Sequence, residues 1–205
     1  MLYAIKNEER ILASPKNKAE CLLCHKPMIA KCGDINIWHW AHESMIDCDN
    51  FSEGETKWHL DWKNKFNKDD VEKNIIKNNV CHRADIFIKN TVVELQNSTI
   101  STEDIYKREI FYGNMIWIFN AEKFINNFQL RQKDSYFSFR WKHPRKSIWY
   151  CKKPIYFDMG DGIIFHVKKI HHNIPCGGWG IPIHINFFVR KLREEIENAK
   201  PVSNK

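Results

Sequence analysis

Apolar and β-branched residues dominate two short runs between His82 and Ser98, and the polar dipeptide Lys89–Asn90 separates them. Runs of this length and composition predict β-strands, and the dipeptide predicts a turn between them. Met115–Phe119 is a continuous apolar run, which is typical of a strand buried in a parallel sheet. A weaker strand pattern, diluted by Lys and Asn, covers Val71–Lys77.

Helix signals lie on either side of these strands. Ser52, with Glu55 three residues later, is a capping-box pattern that opens a predicted helix over residues 51–68. One face of this helix would carry Glu55, Trp58, His59, Trp62 and Phe66. A second capping signature at Ser101–Asp104 opens a helix that runs to about Gly113. The predicted order through residue 121 is therefore α-β-β-β-α-β.

The remainder of the chain shows short apolar runs separated by turn residues, which predict strands. The predicted strands are Tyr136–Trp141, Ser147–Cys151, Pro154–Asp158 and Ile163–Lys168. Gly177–Gly180 predicts a loop, and residues 187–200 predict a closing helix. We therefore expect an α/β (α+β) fold.

Composition restricts the class of protein. The chain has 205 residues, of which 43% are hydrophobic and 28% charged, so it can form a packed core. The net charge of +7 favours polyanionic partners, although many soluble proteins are mildly basic. No apolar run approaches the ~18 residues of a membrane span, and the N-terminus lacks a signal-peptide core. We expect a cytoplasmic protein without membrane contact; the oligomeric state stays open.

The first 50 residues contain two closely spaced pairs of potential metal ligands. These pairs are Cys21 with Cys24 and His39 with His42, and such spacing fits a closed tetrahedral zinc site. Cys48 is an alternative ligand that could replace one histidine. A redox role for the CxxC motif is the competing interpretation, but no βαβ pattern surrounds it. The zinc would contribute folding energy, because so short a segment has little core.

Each run between His82 and Ser98 contains an acidic residue in an apolar setting, Asp85 in the first and Glu94 in the second. Charges in such positions need compensation. Strand periodicity places Glu94 and Gln96 on one face, and a hairpin would bring Asp85 close to Glu94. Converging carboxylates favour Mg²⁺ or Mn²⁺, with the Leu95 carbonyl as a third oxygen ligand.

The spacing of Asp85, Glu94 and Gln96 resembles the motif of the PD-(D/E)XK nuclease superfamily. Together with His39-Trp-Ala-His42 and the Glu55–His59 pair, it resembles the CoiA competence-protein family within that superfamily. The resemblance implies a restriction-endonuclease-like αβββαβ core over residues 51–121. It also implies a zinc-knuckle-like domain over residues 1–50 and leaves residues 122–205 as a β-rich extension. The catalytic residues implied are Glu55, His59, Asp85, Glu94 and Gln96. Gln96 stands where most of the superfamily has Lys, and Gln brings no positive charge.

Candidate nucleic-acid contacts lie in two segments. In the CoiA-like setting, Arg108 and Tyr112 would face the active site or the scissile phosphate; the alternative is that both are ordinary helix-surface residues. Further along, cations that can neutralise phosphates are interleaved with aromatic residues that can stack on unpaired bases. These cations include Arg140, Lys142, Arg145 and Lys146. A solvated basic hairpin would give the same pattern.

The function expected from the resemblance is metal-dependent cleavage of single- or double-stranded DNA, serving DNA uptake, recombination or mobile-element processing. The alternative is a non-catalytic, zinc-containing DNA-binding protein in which the acidic site is degenerate. A zinc-organised protein-interaction domain is a weaker third hypothesis. The first hypothesis requires Mg²⁺ or Mn²⁺ in addition to Zn²⁺.

Overall fold

The computed structural model divides the chain into two compact units, Met1–Phe87 and Ile88–Lys205. The residues that the structure describes are 1–34, 37–44, 48–49, 51, 54–173 and 175–194. The fold is mixed α+β and rich in strands, which confirms the predicted fold class. The three-part division at residues 50 and 121 stays a prediction.

The first unit begins with an antiparallel five-stranded sheet in the order β2-β1-β3-β4-β5. Its strands are β1 (Tyr3–Lys6), β2 (Glu9–Leu12), β3 (Lys18–Glu20), β4 (Pro27–Lys31) and β5 (His39–His42). A small core contains Ala4, Ala19, Met28 and Trp40, and the Trp40 indole donates a hydrogen bond to the Ile11 carbonyl oxygen. The sequence patterns did not predict this sheet, because its strands are only three to five residues long.

Helix α1 (Lys57–Lys63) follows, and it is shorter than predicted. Its N-cap is Thr56, whose hydroxyl accepts from the His59 backbone amide, while the His59 side chain accepts from the Thr56 amide. The predicted Ser52–Glu55 capping box is therefore wrong, because Glu55 precedes the helix; Ser52 itself lies outside the described residues.

Strands β6 (Val71–Lys77) and β7 (Val80–Ile88) are antiparallel neighbours, so the weak pattern at Val71–Lys77 is confirmed as a strand. Asn78 and Asn79 connect them with positive φ angles of 51° and 62°. Two successive left-handed residues are typical of a type I′ hairpin turn, and Asn tolerates this conformation better than most residues.

The second unit contains strands in the order β10-β11-β14-β13-β12-β9-β8. Its elements are β8 (Thr91–Gln96), α2 (Thr102–Tyr112), β9 (Met115–Asn120), β10 (Phe128–Gln132), β11 (Phe137–Trp141), β12 (Ile155–Gly160), β13 (Ile163–His171), β14 (Cys176–His184) and α3 (Ile185–Glu194). Strand β9 is buried throughout and lies parallel to both β8 and β12, as its apolar run predicted. The order α1-β6-β7-β8-α2-β9 is the predicted αβββαβ order.

The region after residue 121 departs from prediction in several elements. Residues predicted as a strand at Ser147–Cys151 form a 3₁₀ helix over Lys146–Tyr150. The predicted loop at Gly177–Gly180 lies inside strand β14, and β10 had no sequence signal. Helix α3 starts two residues before its predicted start, and residues 195–200 lie outside the described part of the chain.

Close packing explains the glycines of β14. A Cβ on Gly178 would lie 2.0 Å from the Lys169 carbonyl oxygen, and one on Gly180 would lie 2.4 Å from the His166 carbonyl oxygen. The Phe139 and Phe165 rings occupy the remaining space on that side. In β14, glycine is needed because atoms of the neighbouring strands approach the backbone closely. The sequence pattern at Gly177–Gly180 had predicted a loop instead.

Candidate metal centre and nuclease site

Four potential metal ligands converge in the first unit. Side-chain donor atoms of Cys21, Cys24, His42 and Cys48 all lie within 4.8 Å of one another. The Cys24 sulfur is 3.2 Å from His42 Nε2, and the Cys21 and Cys48 sulfurs are 3.7 Å apart. Three thiolates and one imidazole are a common ligand set of structural zinc sites. The cluster could therefore bind Zn²⁺.

His39 is not part of this cluster, which corrects the predicted ligand set. Residues 39–42 form strand β5, and successive side chains of a strand point to opposite faces. His39 and His42 therefore project from opposite sides, and His39 Nδ1 lies 2.8 Å from the Ile37 carbonyl oxygen. Cys48 supplies the fourth donor, as the alternative assignment anticipated.

The pKa values of Cys48 and Cys24 are shifted in opposite directions. Burial, together with the neighbouring Cys21, raises the pKa of Cys48 to about 12. Burial also acts to raise the pKa of Cys24, but hydrogen bonds from the Lys26 backbone and from Cys21 and Cys48 outweigh it and lower that pKa. Several thiolates in one place repel, and a bound divalent cation would remove that repulsion.

A second charged cluster in the same unit surrounds a buried lysine. The Lys63 ammonium lies 3.0 Å from Glu55, 3.1 Å from Glu72 and 3.3 Å from Asp85. Glu72 on β6 and Asp85 on β7 share this one cation, and each lies between residues that pair across the two strands. Like charges close together on neighbouring strands destabilise a sheet, and Lys63 offsets that repulsion.

The charges in this cluster stabilise one another. Burial acts to lower the pKa of Lys63, but Glu72, then Asp85 and Glu55, raise it above its ordinary value. Burial acts to raise the pKa of Glu72, but Lys63, followed by Arg83, holds it well below its usual range. Lys63 and Glu72 are therefore charged at neutral pH.

Asp85 is the acid of this cluster that is open to solvent. Its side chain is 23% exposed, whereas the Glu72 side chain is 1% exposed and accepts backbone hydrogen bonds from Leu2 and Tyr3. Glu72 also has a positive φ of 49°, an uncommon conformation for a residue other than glycine. Glu72 is thus held in place as a structural partner of Lys63, and Asp85 is the carboxylate that can reach a ligand.

Lys63 and Glu72 were not among the residues predicted from sequence. Glu55, His59 and Lys63 are spaced four residues apart, so the Glu55–His59 series extends to Lys63 by one more turn. This four-residue spacing could have indicated that Lys63 lies near Glu55. The structure also shows that His59 is buried and that its Nδ1 takes part in the helix cap with Thr56. A catalytic role for His59 stays a prediction.

The second unit contains the other predicted acid. Glu94 is buried in β8, and its Oε2 accepts a hydrogen bond of 2.9 Å from Arg108 on α2. The Arg108 guanidinium also lies 5.9 Å from the centre of the Trp117 ring. Tyr112, one turn later, is buried as well. Arg108 and Tyr112 are therefore not ordinary helix-surface residues.

Gln96 and Arg145 meet at the end of β8. The Gln96 side-chain amide and the Arg145 guanidinium each donate to the Ser98 carbonyl oxygen at 3.3 Å. Leu95 and Gln96 are both buried. The structure thus brings a basic side chain next to Gln96. The other predicted phosphate contacts, Arg140, Lys142 and Lys146, are exposed.

Two family models match this arrangement. Residues 4–51 match the model described as competence protein CoiA, N-terminal domain, and residues 56–173 match the one described as competence protein CoiA, nuclease-like domain. The chain belongs to the CoiA family. The CoiA N-terminal match includes all four residues of the cysteine–histidine cluster, and the CoiA nuclease-like match includes Lys63, Asp85, Glu94 and Gln96.

The CoiA nuclease-like match indicates a nuclease-type function with nucleic acid as substrate. Searches of curated proteins and of solved structures gave no significant match. Within the described residues, none of the helices has the length and apolar character needed to cross a bilayer.

Proposed function

We propose that this CoiA-family protein is a nuclease that hydrolyses DNA phosphodiester bonds with the aid of Mg²⁺ or Mn²⁺ and carries a structural Zn²⁺. The observation that carries the proposal is the buried Lys63 with Glu55, Glu72 and Asp85 around it. All of these residues except Glu55 lie within the nuclease-like match. Ionisable groups whose pKa values are strongly shifted by burial and by neighbouring charges are concentrated in functional sites. The processes it serves would be DNA uptake, recombination or mobile-element processing.

Asp85 and Glu94, with the Leu95 carbonyl, are proposed to hold the divalent cation. The support is their spacing in sequence and their place in the nuclease-like match. A cation bound there would polarise the phosphoryl oxygen and lower the pKa of a bound water. Glu55 would accept hydrogen bonds from water, and Gln96 would orient water by hydrogen bonds without adding charge.

The residues around these acids keep them ready for binding. Lys63 fixes the position of Asp85 by an ion pair, and Arg108 does the same for Glu94. Arg145 lies beside Gln96 through Ser98 and would bind a phosphate of the strand being cut. Lys63 and Arg108 are thus proposed as positioning residues. They supply positive charge near a motif in which Gln96 replaces the usual lysine.

The Cys21, Cys24, His42 and Cys48 cluster is proposed to bind zinc without taking part in cleavage. All four positions are filled by protein ligands, and catalytic zinc sites keep one position open for water or substrate. The ion would link the loop after β3 to β5 and to the segment that holds Cys48, and so stabilise the first unit.

The test is a cleavage assay on linear, circular and single-stranded DNA with Mg²⁺ or Mn²⁺. Asp85→Asn and Glu94→Gln keep side-chain shape and remove charge, so both should reduce cleavage by at least about 100-fold while DNA binding remains. Asp61→Asn is the matched control, because Asp61 is an exposed acid paired with Lys57 on α1. Undiminished cleavage in both variants would contradict the assignment of Asp85 and Glu94.

One observation favours the non-catalytic alternative. Both predicted metal ligands already form ion pairs with basic side chains, Asp85 with Lys63 and Glu94 with Arg108. A cation would have to compete with these pairs. Metal-independent DNA binding by the wild-type protein, without cleavage under any divalent cation, would establish the alternative.

A further inference from the structure

Two rows of side chains cross the outer face of strands β10, β11, β14 and β13. Residues directly opposite each other in antiparallel strands share a face. The first row is Arg131, Ser138, Trp179 and Lys169, and the second row is Gln129, Arg140, Gly177 and His171. Each strand contributes residues two positions apart, so both rows lie on the same side of the sheet.

This outer face is positively charged. Three of its eight positions are cationic (Arg131, Arg140 and Lys169) and none is acidic, and these cations are exposed. On the two central strands, the small residue Ser138 lies opposite Trp179 and the small residue Gly177 lies opposite Arg140. Exposed cations beside an aromatic ring suit a phosphodiester strand with unpaired bases.

Trp179 is exposed on this face. The residue is 36% exposed, and its ring packs edge-on at 5.6 Å against Tyr136, which is itself 38% exposed. Trp179 cannot turn inward by a shift of register, because only glycine fits at Gly178 and Gly180. The strand thus fixes a large aromatic ring facing solvent.

We propose that this face binds single-stranded DNA, with Trp179 stacking on an unpaired base while Arg131, Arg140 and Lys169 neutralise phosphates. An exposed ring favours an unpaired base over a duplex, because bases in a duplex already stack on their neighbours. The occupant is argued from charge complementarity, and the choice of a nucleic acid rests on the proposed function.

The face is separate from Glu94 and Gln96, the residues of the second unit that are proposed for cleavage. Register across β8, β9, β12 and β13 places Gln96 on the same side as Phe165, and Trp179 lies on the opposite side. Trp179 also lies beyond the nuclease-like match, which ends at residue 173. The face would therefore hold a strand without taking part in the reaction, so binding can be measured apart from cleavage.

The test is fluorescence anisotropy of the full chain with a labelled oligothymidylate of about 20 nucleotides, without added Mg²⁺ or Mn²⁺. Trp179→Ala should weaken binding by about 5- to 150-fold, the range expected for loss of one stacked base. Trp179→Phe should restore most of the affinity. Trp38→Ala is the control, because Trp38 is 50% exposed in the first unit. Affinity for a duplex of equal length should change little in Trp179→Ala.

Charge variants provide a second measurement that does not depend on Trp179 packing. Arg131→Gln and Arg140→Gln should each lower the slope of log K against log salt by about 0.7, the value for one phosphate contact on a single strand. Lys16→Gln, at an exposed lysine of the first unit, should leave the slope unchanged.

Equal oligothymidylate affinity of the wild type, Trp179→Ala and Trp38→Ala would overturn the proposal, and so would unchanged salt slopes in both arginine variants. Tighter, Trp179-dependent binding of oligouridylate would overturn the choice of DNA. A wild-type protein that binds in this way but does not cleave would contradict only the proposed function.

Discussion

Replacing Lys63 by Met tests the charge arrangement most directly. The substitution keeps the length and apolar stem of the side chain but leaves Glu55, Glu72 and Asp85 without their shared cation. At an effective dielectric constant of 20, a pair of unit charges about 3 Å apart interacts by roughly 5 kcal/mol. Breaking buried pairs of this kind costs about 3–5 kcal/mol. We expect the free energy of unfolding to fall by about that amount at neutral pH.

The loss should depend on pH in a defined direction. In the wild type the pKa of Glu72 is lowered, so its contribution to stability is present above its unfolded pKa and is lost as the pH falls through the folded value. Lys63 is the largest of the groups that lower the pKa of Glu72, so that pKa should rise when Lys63 is removed, and protonation then relieves the uncompensated charge. The difference in stability between wild type and Lys63→Met should therefore be largest near pH 7 and shrink towards pH 4.

Urea unfolding followed by circular dichroism, at several pH values, measures both effects. Lys57→Met is the matched control on the same helix: Lys57 is exposed and pairs with Asp61, so its loss should cost at most about 0.5 kcal/mol. Glu72→Gln combined with Lys63→Met should recover part of the loss, because it removes one unpaired charge. A Lys63→Met variant as stable as Lys57→Met, or a loss independent of pH, would refute this account of the cluster.

Three further predictions follow from the structure. The purified protein should bind Zn²⁺, measured by mass spectrometry of metals; Cys48→Ser should lose it and His39→Ala should retain it. Gly178→Ala should lower the free energy of unfolding by about 2 kcal/mol or more because its Cβ meets backbone, whereas Gly33→Ala, with open space around it, should have little effect on the unfolding curve. Burial, then Lys168, lowers the pKa of His166 to about 4; stability should therefore fall as the pH drops from 6.5 towards 4, and less so in His166→Gln.

Sequence patterns predicted the elements whose signals are local. The buried run Met115–Phe119, the capping signature before α2 and the order αβββαβ each depend on residues close together in the chain. The glycines of β14 misled the prediction, because what they avoid is the Phe139 and Phe165 rings, which approach from other strands. Local patterns cannot indicate such contacts.

The candidate site was also predicted only in those parts that depend on residues close together in the sequence. The two cysteines of the CxxC motif are close in sequence, so their pairing was evident, whereas the choice of Cys48 over His39 depends on which face of β5 each histidine occupies. Lys63 was missed because a lysine on a helix is usually solvated. Its role is visible only when Glu72, on another element, lies next to it.

The placement of positive charge distinguishes this site from the usual form of its motif. Gln96 brings no charge, and the cations stand instead on helices, Lys63 on α1 beside Asp85 and Arg108 on α2 beside Glu94. Each acid is therefore held in place by an ion pair before any cation arrives, which lowers the cost of ordering the ligands. The same ion pairs weaken cation affinity, because an incoming ion must displace or share a bound charge. For the cation proposed above, this balance would favour weak binding that substrate phosphate completes, which is the usual way in which Mg²⁺ is held.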